Sequence, residues 1–111
     1  MLIYHITEQS TWNQANREGI YMPVNFIREG FIHCSNRDQV LDTAERYYSN
    51  DSNLVLLQID VSRLRSNMQE ENLIGGQEKY PHIYGPLNLD AVISAAAFEK
   101  GADGKFHFPF L

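Results

Sequence analysis

The sequence predicts a single α+β domain, and three observations lead there. Its 111 residues suffice for one domain with one main core and no disulfide or metal staple. Apolar runs of strand length outnumber segments with helical periodicity. The elements also lack the regular strand–helix alternation of a doubly wound sheet: the order reads β-α-β-β-α-β and then mostly strands.

Leu2-Ile3-Tyr4-His5-Ile6 opens the chain as a short buried strand. Thr7 to Ser10 supplies capping side chains for a helix over Thr11–Glu18, and Gly19 suits the left-handed position after its end. Ile20-Tyr21-Met22 reads as a short strand before Pro23. A turn at Arg28-Glu29-Gly30 then leads into the strand Phe31-Ile32-His33-Cys34. Ser35 is the expected N-cap of the second helix, with Asp38 completing a capping-box-like pair. Val40, Leu41, Ala44, Tyr47 and Tyr48 fall on one apolar face of that helix, and Ser49–Asn53 breaks it.

Leu54–Asp60 is almost continuously apolar, as a central strand covered on both faces should be. Val61–Leu64 reads as one helical turn, and Met68–Leu73 as a strand ended by Gly75-Gly76. Tyr80–Tyr84 is β-prone but carries Pro81, which points to an edge strand or an ordered loop. Ala91–Phe98 reads as a late strand. A turn at Gly101–Gly104 then brings Lys105–Phe108 back as a hairpin arm. Phe106–Leu111 is apolar, either core or exposed surface.

Net charge is −5, and the basic residues are scattered, with Arg63 and Arg65 the densest group and Lys100 and Lys105 far away. That balance argues against a broad nucleic-acid surface, which needs clustered Lys and Arg to displace counterions. No run of about 18 apolar residues exists to span a membrane. The opening MLIYHITEQS lacks the basic n-region of a secretory signal. A single cysteine, Cys34, forms no internal disulfide, so a reducing, cytoplasmic compartment is expected.

Chemistry is expected around His5, His33 and Pro81–Leu87. His33 and Ser35, just before a predicted helix start, are placed to hold a phosphate or a ribose hydroxyl on unsatisfied amides. The alternative is that Ser35 is only a cap and His33 only a hydrogen-bonded interior group. Cys34 alternates to the opposite face from both and reads as a buried thiol rather than a nucleophile. Pro81-His82-Ile83-Tyr84-Gly85-Pro86-Leu87 presents His82 and Tyr84 on one side, lining a site or simply building a turn. Glu70 and Glu71 offer carboxylates or a solvated edge. No spacing resembles a zinc site, so no metal ligand is expected, and no phosphate-cradling glycine loop occurs.

Three strings carry a resemblance over essentially the whole chain: Y-H-I-T at Tyr4–Thr7, E-G-F-I-H-C-S at Glu29–Ser35, and P-H-I-Y-G-P-L at Pro81–Leu87. They resemble a small bacterial family known as domain of unknown function 952, which is grouped by fold with the ADP-ribosyltransferases. Tyr4–Thr7 is also similar to the H-G-T string of the tRNA 2′-phosphotransferases, with Ile6 in place of the glycine. Phe31–Ser35 is similar to their H-x-H-L-S string, with Phe31 in place of the leading histidine. The resemblance implies an ADP-ribosyltransferase-like fold of small mixed or antiparallel sheets with two main helices.

It also implies a nucleotide-like ligand, NAD or an ADP-ribosyl or phosphorylated nucleotide, with transfer of ADP-ribose or phosphate. By matching position His5 orients the ribose, with Thr7 in the same string, and His33 and Ser35 sit near the nicotinamide or the incoming phosphate. Tyr21 or Tyr84 is then the candidate to stack on a base, His82 a further ligand contact, and Glu71 the candidate catalytic carboxylate by proximity to the Pro81–Leu87 segment. A non-catalytic module binding a small ligand or partner on the same fold is the alternative.

Overall fold

The computed structural model describes residues 1–72 and 75–110. Eight strands are seen there: β1 Leu2–Glu8, β2 Ile20–Tyr21, β3 Ile32–His33, β4 Leu54–Asp60, β5 Asn67–Glu71, β6 Tyr80–Tyr84, β7 Leu87–Asn88 and β8 Val92–Ala97. Three helices join them: α1 Gln9–Glu18, α2 Phe26–Glu29 and α3 Val40–Tyr47. The strands form three sheets, ordered β1-β4-β8, β2-β7 and β3-β6-β5, and every pairing is antiparallel.

The apolar run at β4 does what its composition predicts. It lies between β1 and β8, and alternation sends Leu54 and Leu56 to one face and Val55, Leu57 and Ile59 to the other. Each face has its own core. Ile3 of β1 joins the second set, with Ala15 of α1, Tyr21, Ile32 and Ile83. Tyr4 and Ile6 join the first, with Val40 and Ala44 of α3, Phe98 and Phe106. Burying each such aliphatic side chain stabilises the fold by roughly 1.5–3 kcal/mol.

Several local expectations change in the tertiary setting. The first helix starts two residues early, at Gln9, without a side-chain cap, because β1 stays paired with β4 up to Glu8. Its end is as expected: Gly19, at φ 83°, donates its N–H to the Ala15 carbonyl. Arg28–Gly30 closes a four-residue helix rather than a simple turn. Ser35 is not an N-cap, and the second long helix begins only at Val40. The Ser35 backbone is instead held extended by a bridge to Tyr4, with both N–H···O=C bonds formed at 2.8–2.9 Å. The Gln39 side chain, rather than Asp38, receives the Asn36 N–H at 2.9 Å. On α3, Val40 and Ala44 are buried, but Tyr47, assigned above to the apolar face, is exposed.

Tyr80–Tyr84 is the centre of its sheet, not the edge. Pro81 is tolerated because its missing donor faces the end of the two-residue β3, where its carbonyl still accepts the Cys34 N–H at 3.0 Å. The strand expected over Met68–Leu73 runs from Asn67 to Glu71, and Leu73 lies outside the described residues. Lys105–Phe108 forms only a single bridge, Lys100 to Phe106, instead of a hairpin arm. Phe106 is core, and Phe108 and Phe110 are half-buried against Tyr4, with ring centroids at 5.2 and 6.4 Å; Leu111 lies outside the described residues. Among the described residues no helix is long and apolar enough to cross a membrane.

Candidate functional site

The segments singled out in the sequence meet in space but divide into two environments. On one side of β1, His5 is buried with Tyr21 and Thr7. Its Nδ1 is 2.6 Å from the His33 carbonyl and its Nε2 is 2.7 Å from the Tyr21 hydroxyl, which is 2.9 Å from Thr7 Oγ1. A carbonyl can only accept, so Nδ1 carries the proton of a neutral ring. Nε2 then accepts from the tyrosine, whose oxygen takes the threonine proton. Burial lowers the His5 pKa to about 4, against a smaller opposing pull from the His33 carbonyl. Burial likewise pushes the Tyr21 hydroxyl well above its ordinary range. Every polar group in this cluster is satisfied within the protein.

On the other side, a cavity of about 550 Å³ lies between α3 and the β3-β6-β5 sheet. Tyr4 and Ile6 of β1, Phe31, Tyr48 and Tyr80 give it a largely aromatic wall, and Ser35, Thr43 and Arg46 add polar groups. His33 and His82 line it as directly opposed residues of β3 and β6, their rings 5.4 Å apart at 84°. Each is backed by a carboxylate. His33 Nε2 donates to Glu29 at 2.5 Å, and His82 Nδ1 donates to Glu71 at 2.9 Å. Phe31 packs on both rings, at 4.7 and 4.2 Å.

Glu71 also accepts from the Tyr84 hydroxyl. These two hydrogen bonds, the tyrosine's being the larger influence, hold its carboxyl below the usual range, and the same contact raises Tyr84. Among the described residues His33 Nδ1 and His82 Nε2 have no protein partner, and each is free to act on a bound molecule. Cys34 is buried between the core and the cavity wall, and desolvation pushes its thiol far up, away from nucleophilic character. Among the described residues no group of three or more His, Cys, Asp and Glu is arranged to hold a metal ion.

Of the residues selected from sequence, His33, Ser35, His82 and Glu71 line the cavity, and Tyr84 touches it through Glu71. His5, Thr7 and Tyr21 lie behind it, because His5 and Thr7 alternate with Tyr4 and Ile6. Sequence reasoning passed over Glu29, Phe31 and Arg46. The i,i+4 spacing of Glu29 and His33 was the available sign, whereas Arg46 reads in sequence as an ordinary exposed helix residue.

A family model described as "Protein of unknown function (DUF952)" matches residues 6–95. The chain belongs to this family. As a DUF952 member it is also similar in structure to protein CC0527 from Caulobacter crescentus. The crystal structure of that protein is 31% identical, with a TM-score of 0.85 over 96% of this chain and 94% of that one. Its solution NMR structure is 32% identical, with a TM-score of 0.81 over 94% and 90%. No curated protein matches this DUF952 chain.

Proposed function

We propose that the cavity beside His33 and His82 binds a nucleotide-like small molecule, NAD, ADP-ribose or a 2′-phosphorylated nucleotide, in an ADP-ribosyltransferase-like, cytoplasmic domain. Glu71 carries the reading: a carboxylate fixed by two donors, Tyr84 and His82, on the wall of an aromatic cleft large enough for such a ligand. When a ribosyl bond to nicotinamide breaks, positive charge gathers on the ribose carbon, and a fixed carboxylate there stabilises it without reorganising. Phe31 and the tyrosines supply stacking surface, and Arg46 a partner for phosphate. His5, Thr7 and Tyr21 act in this reading from behind, by holding the His33 backbone in place.

Calorimetric titration with NAD, ADP-ribose and 2′-phosphorylated nucleotides tests it, together with an assay for released nicotinamide. Saturable binding that weakens on the order of tenfold in Glu71→Gln, the loss of about one charge-assisted hydrogen bond, is expected. Absence of binding by every one of these ligands at millimolar concentration sinks the reading. A non-catalytic module is favoured by one observation: both carboxylates of the cleft are already engaged by histidine or tyrosine donors. Saturable binding without nicotinamide release selects it.

A further inference from the structure

Nicotinamide leaves a ribose as a neutral molecule and needs no proton, so the chemistry above employs a carboxylate that His82 helps to fix and leaves the second ring nitrogen of each cleft histidine without a task. Their arrangement is specific. They are cross-strand neighbours, each has one ring nitrogen tied to a carboxylate, and Phe31 packs on both. Both line the same cavity, with the second nitrogen of each unpartnered among the described residues. A carboxylate on one ring nitrogen sets the tautomer and aims the other nitrogen at the reacting group. Two such imidazoles in one cleft match a reaction in which a proton is taken from a nucleophile and another delivered to a leaving alkoxide.

The surroundings narrow the bond. The N–H groups of Cys34 and Ser35, the strand amides beside His33, are bonded to the carbonyls of Pro81 and Tyr4, which leaves no pair of amides there for an acyl oxyanion. Arg46, on the facing helix and 62% exposed, pairs with Asp42 through Nε at 3.2 Å and lines the cavity, where its guanidinium can meet phosphoryl oxygens. A net charge of −5 with scattered basic residues disfavours a polymeric substrate, and the cavity volume suits a mononucleotide.

From this geometry we infer a second activity for the cleft: hydrolysis of a small cyclic phosphodiester, with His82 as general base and His33 as general acid. A water oxygen attacks phosphorus while its proton passes to His82 Nε2. The bond from phosphorus to one ribose oxygen breaks, and that oxygen takes the proton on Nδ1 of the His33 imidazolium, which Glu29 faces. The products are a hydroxyl and a phosphomonoester, and solvent restores both protons. Glu71 and Glu29 are positioning residues; the other ionisable groups around the pair, among the described residues, are Tyr84 on Glu71, His5 behind His33, and Tyr4, Cys34, Arg46, Tyr47, Tyr48 and Tyr80 on the cavity wall.

The test incubates the full chain with 2′,3′-cyclic AMP and follows product by phosphorus NMR. Monophosphate formation is expected, with a bell-shaped pH dependence of kcat/KM. His33→Ala and His82→Gln are each expected to lower kcat/KM by about a hundredfold or more. His33 is exposed, so its variant keeps the test decisive even where the buried His82 variant fails to fold. No hydrolysis by the unmodified protein, or undiminished hydrolysis by His33→Ala, overturns the inference. The NAD and ADP-ribose titrations on the same preparation separate the two proposals. Binding without cyclic-phosphate hydrolysis defeats only this one, and hydrolysis without binding of those ligands defeats only the other.

Discussion

His5 and the His33–His82 pair are separated by little more than the thickness of one strand, yet they occupy opposite chemical situations. His5 sits in a closed environment where both ring nitrogens, a tyrosine and a threonine satisfy one another. His33 and His82 stand on an open wall with one nitrogen each committed to a carboxylate and one available. A satisfied buried network rigidifies a fold, and taking away a member leaves stranded polar groups. A half-satisfied exposed group such as His33 contributes little to stability, whereas His82 is buried against Glu71; each keeps one nitrogen free to do chemistry. A hydrogen bond from His5 Nδ1 to the His33 carbonyl links the two regions directly.

The largest effect expected from breaking this contrast is on the closed side. His5→Ala strands the Tyr21 hydroxyl and the His33 carbonyl and leaves a cavity, costing roughly 3–5 kcal/mol in urea unfolding. A cost below about 1 kcal/mol contradicts the structural role assigned to His5.

Acid acts on the same group without mutation. The unfolded chain takes up a proton on His5 near the ordinary histidine value of 6.5, while the folded protein resists until about 4. Stability is therefore complete above pH 6.5, falls as pH drops from there to about 4, and loses on the order of 3 kcal/mol through this group. Carboxylates held low in the folded state, Glu71 among them, add losses only below their own ordinary value of 4.5. Urea melts between pH 7 and 5, run beside a His5→Gln variant, assign the loss: the slope is expected to flatten in the variant, and an unchanged slope there removes His5 as the titrating group.

Smaller still is Gly85→Ala. Gly85 has φ 151°, and a β-carbon there would sit 2.8 Å from the Ser66 Cβ, so a cost of about 1–3 kcal/mol is expected in the turn after β6. A neutral result means that Ser66 yields freely.

On the open side, His33→Ala is expected to change stability by less than about 1 kcal/mol, because its pair with Glu29 is solvent-exposed. A larger loss makes His33 structural and weakens the contrast. The smallest effect belongs to Tyr84→Phe. Without that hydroxyl the Glu71 carboxyl is expected to titrate closer to its ordinary range, read by carbon NMR of the side chain; an unmoved titration shows that His82 alone holds it.

Much of this was legible in residues. The near-continuous apolarity of Leu54–Asp60 announced a strand covered on both faces, and Gly19 marked a helix end, because burial and backbone freedom are written locally. The strings around His5, His33 and His82 drew attention to three histidines that do converge. Their division into a closed and an open set was not legible. It depends on which face of β1 meets α3, and that is decided by the partners of β4.

The sequence by itself therefore determined the class of domain, its central strand and the side chains worth watching, since these follow from hydrophobic pattern and residue chemistry. Only the tertiary structure decided that Ser35 pairs with Tyr4 instead of capping a helix, that Pro81 lies in a central strand, and that His33 faces His82 with Glu29 and Glu71 behind them. Strand pairing joins segments nearly 50 residues apart, and no local preference encodes which residue will stand opposite which.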